Sequence, residues 1–180
     1  MSATAERSRY PITADLFHKM GDTGLIAPGA RIELVQGELI EMAPIGSRHA
    51  SVVNELARLL IEAKCGVVSI QNPVRLSGIS ELQPDLMVLK GDRTNYVNRL
   101  PGPQDVQLLI EVSDTTLAFD RGDKADLYAA AGIPEIWVVD VNARSVEVLK
   151  EPGGNGYSKQ DLITDFVVAP GGVRIAVAAL

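Results

Sequence analysis

Two apolar segments near the middle of the chain, PDLMVL (residues 84–89) and LLIEVS (residues 108–113), each contain one carboxylate. Both have the composition of buried β-strands, yet the first opens with Asp85 and the second holds Glu111 between apolar neighbours. An ionised group in a buried strand is costly unless it is paired or binds a metal ion. Lys124 follows in the first turns of a predicted helix. These three polar side chains indicate a functional site.

Metal-assisted hydrolysis of a phosphodiester is the chemistry that these residue types favour. If the two strands pair, Asp85 and Glu111 can converge on one divalent cation, and their oxygen ligands select Mg²⁺ or Mn²⁺ rather than zinc. Such an ion activates water and neutralises charge on a scissile phosphate. Lys124 would stabilise the transition state. The residues alone leave an alternative open, in which Asp85 caps a turn and Glu111 forms a structural pair with Lys124.

The segments around this centre predict an α/β fold. Helices are predicted at residues 12–20, 48–64 and 120–131, and β-hairpins at residues 31–42 and from residue 144 onward. Residues 66–70 and 73–76 are predicted to form one long or broken strand, followed by a turn at residues 78–81. Further strands are predicted at residues 85–89, 106–113 and 135–140. Thr13 and Ser47 are the expected N-caps of the first two helices. The strand–helix–strand unit over residues 106–140 implies a partly parallel, mixed sheet flanked by helices. The 180 residues fit a single domain, with residues 1–10 as a flexible arm.

Three further features have two readings each. Glu38 shares a face of the first hairpin with Ile40 and Met42, so it either points toward a site or is solvated at a sheet edge. His49 lies at the leading edge of the buried face of the second helix, where a core-edge histidine is favoured over a functional one. Residues 90–104 carry a basic and aromatic patch beside the proposed site. A solvated loop is favoured there, with a nucleic-acid contact as the alternative.

Composition limits the partners of the chain. The net charge is −6 and the sequence pI is about 4.9, which argues against tight, autonomous binding to DNA. No apolar run approaches the roughly 20 residues of a membrane helix. The chain contains a single cysteine, Cys65, which excludes an intramolecular disulfide and suits a reducing compartment. We therefore expect a soluble, cytoplasmic protein without a membrane partner.

Several motifs together resemble the PD-(D/E)XK nuclease superfamily, and more closely the Uma-two family of restriction-endonuclease-like proteins. The resemblance runs from about Ile12 to the C-terminus. Its motifs are ELVQGELIEM (residues 33–42), QPDL (83–86), IEVS (110–113), Lys124 with Tyr128, and AGIPEIWVVD (131–140). It implies a restriction-endonuclease-like core with an N-terminal β-hairpin.

The resemblance also implies roles for individual residues. Asp85 and Glu111 would be metal ligands, the backbone carbonyl of Val112 a further ligand, Lys124 the catalytic lysine, and Glu38 an additional acidic site residue. In the usual superfamily pattern the lysine stands two residues after the acid, on the same strand. That position is Ser113 in this chain, and Lys124 comes thirteen residues after Glu111. The resemblance therefore implies a lysine that has migrated to the helix.

The predicted function is Mg²⁺-dependent or Mn²⁺-dependent endonucleolytic cleavage of DNA. The alternative is a nuclease-derived module that binds nucleic acid or assembles with partners without cutting. Hydrolysis of a different phosphoester is a third reading. Cleavage of both strands of a duplex requires two active sites, which a homodimer would supply.

Overall fold

The computed structural model describes residues 9–180, so most of the arm predicted over residues 1–10 lies outside the described residues. The strands are β1 (Ile32–Val35), β2 (Glu38–Glu41), β3 (Val67–Ile70), β4 (Val74–Ser77), β5 (Ser80–Leu82), β6 (Leu86–Leu89), β7 (Val106–Ser113), β8 (Glu135–Asp140), β9 (Ser145–Gly153), β10 (Gly156–Ile163), β11 (Phe166–Ala169) and β12 (Val173–Ala176). The helices are α1 (Ala14–Asp22), α2 (Ser47–Glu62), α3 (Leu117–Phe119) and α4 (Ala125–Ala131), with a π-helical turn (Asp120–Lys124) between the last two. Short 3₁₀ turns lie at Arg93–Tyr96, Pro103–Asp105 and Val177–Ala179.

A six-stranded sheet forms the centre of the fold, in the order β10-β9-β8-β7-β6-β3. Only the β7–β8 pair in this sheet is parallel, as the predicted strand–helix–strand unit requires. β6 and β7 are buried along almost their whole length because helices cover both faces of the sheet. One apolar cluster lies under α2 and β11–β12, and the other lies under α4 and includes residues of β4 and β5.

A second sheet of four strands, in the order β2-β1-β5-β4, lies at the N-terminal side of the chain. Its first two strands are the predicted hairpin. Gln36 and Gly37 form the two-residue turn with φ values of 49° and 82°, the left-handed pair that suits the twist of a hairpin. Through β1, this sheet brings residues of the hairpin against the central strands.

The prediction for residues 66–82 is partly wrong. β3 and β4 were expected to form one long or broken strand, but they belong to different sheets, because Pro73 interrupts the run and the chain changes direction there. Residues 78–81 were expected to be a turn, whereas β5 begins at Ser80. A strand of three residues is too short to show an alternating pattern.

Of the two predicted helix caps, one is confirmed and one is wrong. Thr13 caps α1 as predicted, with its side chain accepting a hydrogen bond from the Leu16 N–H at 3.2 Å. Ser47 is not the cap of α2 but its first residue. Gly46 occupies the N-cap position without a side-chain hydrogen bond. The buried residues of α2 are Val52, Val53, Leu56, Ala57 and Leu60. No helix between residues 9 and 180 is long and apolar enough to cross a membrane.

Candidate active site

The register of the two central strands brings the predicted carboxylates together. β6 and β7 are antiparallel, with Leu86 opposite Ile110. One step further along the same register, Asp85 lies across from Glu111. Both residues are buried, with 7% and 2% of their surface exposed, and both line a pocket of about 280 Å³.

Three donors hold the Asp85 carboxylate. The backbone N–H of Val112 and the Nε2 of His49 lie 2.9 Å and 3.0 Å from Oδ2, and the Gln71 amide donates to Oδ1 at 3.2 Å. Burial alone would raise the pKa of Asp85, but these hydrogen bonds hold that pKa below its ordinary value. The hydrogen bond between His49 and Asp85 also raises the pKa of His49. Asp85 is therefore an anion at neutral pH.

Lys124 reaches the same pocket from the π-helical turn. Its side chain is buried, and Nζ lies 3.1 Å from Glu33 Oε1, 3.2 Å from Glu111 Oε1 and 4.0 Å from Asp120 Oδ1. Burial alone would lower the pKa of Lys124, yet the three carboxylates hold it above its ordinary value. The ammonium group is therefore charged, and it lies against the strand that carries Glu111.

Glu111 has one fully engaged oxygen and one open oxygen. Oε1 accepts hydrogen bonds from the Tyr128 hydroxyl at 2.6 Å and from Lys124, while Oε2 accepts none from the described residues. Burial raises the pKa of Glu111 to about 8. Lys124 opposes this shift, and Asp120, Asp85 and Glu33 add to it. Carboxylates this close repel each other when ionised, and a cation relieves that repulsion.

Glu38 does not join this cluster. Its side chain is 53% exposed and pairs with Arg9, and it lines a separate groove between the hairpin and α4. The hairpin contributes Glu33 to the site instead. Glu33 is the more deeply placed carboxylate because it lies in the middle of β1, opposite Ile40, where the small sheet packs on the core.

Sequence reasoning missed Glu33 and Asp120 and did not assign His49. Glu33 lies on the same face of β1 as Val35. The alternating pattern of the hairpin places Glu33 and Glu38 on one face but does not show which of the two carboxylates is buried. Asp120 begins the π-helical turn and accepts hydrogen bonds from Ser113 Oγ at 2.7 Å and Thr116 Oγ1 at 2.5 Å. Because His49 precedes the buried stripe of α2, the helix period placed its ring near the sheet without showing what it contacts.

The basic and aromatic loop of residues 90–104 lies away from the site, contrary to the prediction. It follows β6, whereas Asp85 precedes that strand, so the two are separated by the length of the strand, about 16 Å at 3.3 Å per residue. Two of its cations are also engaged locally. Arg99 pairs with Asp105 and lies over the Tyr96 ring, and Lys90 donates to the Gln104 carbonyl.

The oxygen atoms that line the pocket are chemically suited to bind a hard divalent cation. Asp85, Glu111 and Val112 line the pocket, and carboxylate and carbonyl oxygens are the ligands that Mg²⁺ prefers. The open Oε2 of Glu111 is the oxygen available to such an ion. No group of three or more His, Cys, Asp or Glu side chains within residues 9–180 is already arranged around one metal position. Lys124 supplies the positive charge between the carboxylates in this arrangement.

Comparisons with known proteins identify the family and the fold. The family Uma2 (Uma-two), described as "Putative restriction endonuclease", matches residues 14–177. A crystal structure titled as a "putative nuclease belonging to DUF820" from Anabaena variabilis is similar in fold, with a TM-score of 0.69 and 14% sequence identity. That likeness covers 94% of this chain and 97% of the other. The chain has no match among curated proteins. The predicted restriction-endonuclease-like α/β fold is confirmed, and the chain belongs to the Uma2 family.

Proposed function

We propose that the protein is a metal-dependent endonuclease that hydrolyses phosphodiester bonds of DNA in the pocket around Asp85, Glu111 and Lys124. The observation that carries the proposal is the meeting of these three side chains, from two strands and a π-helical turn, in one pocket. The family description and the name of the similar structure, both of nucleases, support the same activity.

Asp85, Glu111 and the backbone carbonyl of Val112 would hold Mg²⁺ or Mn²⁺. When bound, the ion supplies an activated water and neutralises charge on the phosphate. The protein contributes a fixed, anionic Asp85. It also orients Glu111 through the hydroxyl of Tyr128, which donates to Oε1 and leaves Oε2 open to the pocket.

Lys124 supplies the positive charge for the transition state. An ammonium group has three N–H donors, and Glu33 and Glu111 accept two of them. Asp120 Oδ1, at 4.0 Å, is beyond hydrogen-bonding distance. The third N–H is therefore available to a non-bridging oxygen of the substrate phosphate, where negative charge increases during hydrolysis.

A binding or assembly module without cleavage is the second candidate. Two observations favour it. The net charge is −6, and the carboxylate cluster already contains a lysine and has no ready-made metal arrangement in residues 9–180. Such a module would bind DNA or a partner chain and leave phosphodiester bonds intact.

Incubation with supercoiled plasmid separates the two candidates. The wild-type protein is compared in Mg²⁺, in Mn²⁺ and in EDTA, with DNA binding followed in parallel by gel retardation. We expect nicked plasmid with either metal and none with EDTA. Retarded but intact plasmid in both metals would contradict the endonuclease and support the module.

A further inference from the structure

The chain contains two histidines, and each contacts a buried carboxylate. His18 Nε2 lies 2.9 Å from Glu81 Oε1, outside the pocket. His49 Nε2 lies 3.0 Å from Asp85 Oδ2, and His49 lines the pocket. We infer that His49 is a positioning residue that holds the Asp85 carboxylate in the orientation required for metal binding. This inference rests on the function proposed above.

The Asp85 side chain depends on its donors for its orientation. Asp85 lies just before β6, and Pro84 in front of it has no N–H to contribute to the sheet. The Gln71 N–H holds the Asp85 carbonyl at 2.9 Å, which ties down the backbone at this position. The carboxylate itself is held by His49, Val112 and Gln71. Each of these donors belongs to a different part of the fold.

The two carboxylate oxygens have different surroundings. Oδ2 accepts from both His49 and the Val112 N–H, so its two lone pairs are used by the protein. Oδ1 accepts only the Gln71 amide among the described residues, which leaves one lone pair for a cation. Without His49, the carboxylate could rotate about its last bond and present either oxygen to the pocket.

The imidazole itself is well placed to act as a fixed donor. The ring is carried by α2, whose residues Val52, Val53 and Leu56 belong to the apolar cluster beneath the central sheet. Only 15% of the His49 side chain is exposed. Packing of the helix therefore fixes the ring, and the ring fixes Asp85.

His49 also carries a cost that a purely packing residue would avoid. Its Nδ1 is buried and has no hydrogen-bond partner among the described residues. A buried polar atom without a partner destabilises the folded state. A leucine at this position would fill the space without that cost. Residues that lower the stability of the folded state in this way are expected at functional sites.

The test is Mn²⁺ affinity measured by titration calorimetry on the full chain, with folding of each variant checked by circular dichroism. His49→Ala removes the donor, and we expect Mn²⁺ affinity to fall about 10–100-fold, the range for loss of an outer-shell partner. His49→Gln keeps an N–H of similar reach and should recover most of the affinity. His18→Ala removes the other histidine–carboxylate contact and should bind Mn²⁺ as the wild type does.

Mn²⁺ affinity in folded His49→Ala equal to that of the wild type, or no recovery in His49→Gln, would overturn the inference alone. If His49→Ala does not fold, His49→Leu replaces it, because leucine restores packed volume without a donor. Loss of folding in His49→Gln as well would assign His49 to stability and overturn the positioning role. A wild type that neither binds Mn²⁺ nor nicks plasmid would overturn the proposed function, and this inference with it.

Discussion

Lys124 is surrounded by Glu33, Glu111 and Asp120, so the pocket holds more negative than positive charge before any ligand binds. The imbalance falls mainly on Glu111, which is buried and has a pKa raised to about 8. In such surroundings, a bound cation stabilises an ionised carboxylate with an open oxygen more than water does. The excess negative charge of the pocket therefore explains both the raised pKa of Glu111 and the proposed metal dependence.

The raised pKa of Glu111 predicts a pH-dependent stability in metal-free buffer. Glu111 releases its proton near 4.5 when unfolded and near 8 when folded, so the folded state binds the extra proton between these values. Stability therefore falls as pH rises from about 4.5 to about 8, by at most about 1.4 kcal/mol per pH unit for one group. Glu111→Gln should remove this slope in urea unfolding with EDTA.

Asp161→Asn is the matched control for that prediction, since Asp161 is an exposed carboxylate on β10. It should keep the wild-type slope. An unchanged slope in Glu111→Gln would contradict the assignment of the raised pKa to this residue.

At this scale the sequence predicted the residues whose neighbours made them conspicuous. Asp85 and Glu111 interrupt apolar runs, and a lysine near the start of a helix follows them. Glu33 could not be separated from Glu38 in the same way, because alternation gives the face of a strand but not what covers it. The decisive difference is the packing of β1 on the core, which is a tertiary contact.

The π-helical turn is the element that carries Lys124 into the pocket. Asp120 and Lys124 are four residues apart, so they lie on one face of the turn, and both are buried. A π-helical turn widens the local helix and is frequent at functional sites. The sequence predicted a helix over these residues, but amphipathic periodicity does not distinguish a π-helical turn from an α-helical one.

The hairpin turn between β1 and β2 fixes where Glu33 lies. The Gly37 carbonyl accepts from the Ile12 N–H and the Gly37 N–H donates to the Ile79 carbonyl, at 3.0 Å and 2.7 Å. A Cβ on Gly37 would lie 2.5 Å from the Pro11 Cβ, and φ is +82°. Gly37→Ala should therefore reduce the free energy of unfolding by well over the 1–2 kcal/mol that a left-handed alanine costs on its own.

Gly29→Ala gives the matching measurement without the clash, because Gly29 has φ of +81° and nothing within 4 Å of an added Cβ. Urea unfolding of both variants should show the larger loss for Gly37→Ala. Equal losses in the two variants would mean that the contact with Pro11 does not constrain the hairpin.

As a whole molecule, the protein is acidic, and the charge around its pocket is uneven. The groove on one side is lined by Glu38, Asp123 and Asp126, which repel phosphate. Among the described residues that line the pocket itself, Arg31 and Lys124 carry permanent positive charge. DNA is therefore expected to approach over Arg31, whose guanidinium donates to the Ala43 carbonyl at 2.7 Å.

Arg31→Ala should weaken binding of a DNA oligonucleotide and reduce the slope of log affinity against log salt by about 0.9, the value for one phosphate contact. Fluorescence anisotropy at several salt concentrations measures both quantities. Arg93→Ala, in the exposed loop at the other end of β6, should leave the slope unchanged. The reverse result would place the DNA on that loop.

The oligomeric state of the protein bears on whether it can cut both strands of a duplex. A single active site per chain would cut one strand at a time, and a two-fold dimer would supply the second site. Light scattering should show a dimer, with or without DNA, if the enzyme makes double-strand breaks. A strict monomer together with linear plasmid as the first product would contradict this arrangement.

The most direct test of the central claim is the single-turnover rate of plasmid nicking in Mn²⁺ by Lys124→Met, compared with Lys150→Met. Lys150 is a half-exposed lysine on β9 that pairs with Glu135, away from the pocket. If the pocket is the active site, nicking by folded Lys124→Met falls by roughly 10²–10³-fold, the loss expected for one electrostatic stabiliser, while Lys150→Met cuts at the wild-type rate. Wild-type nicking by Lys124→Met would contradict the account.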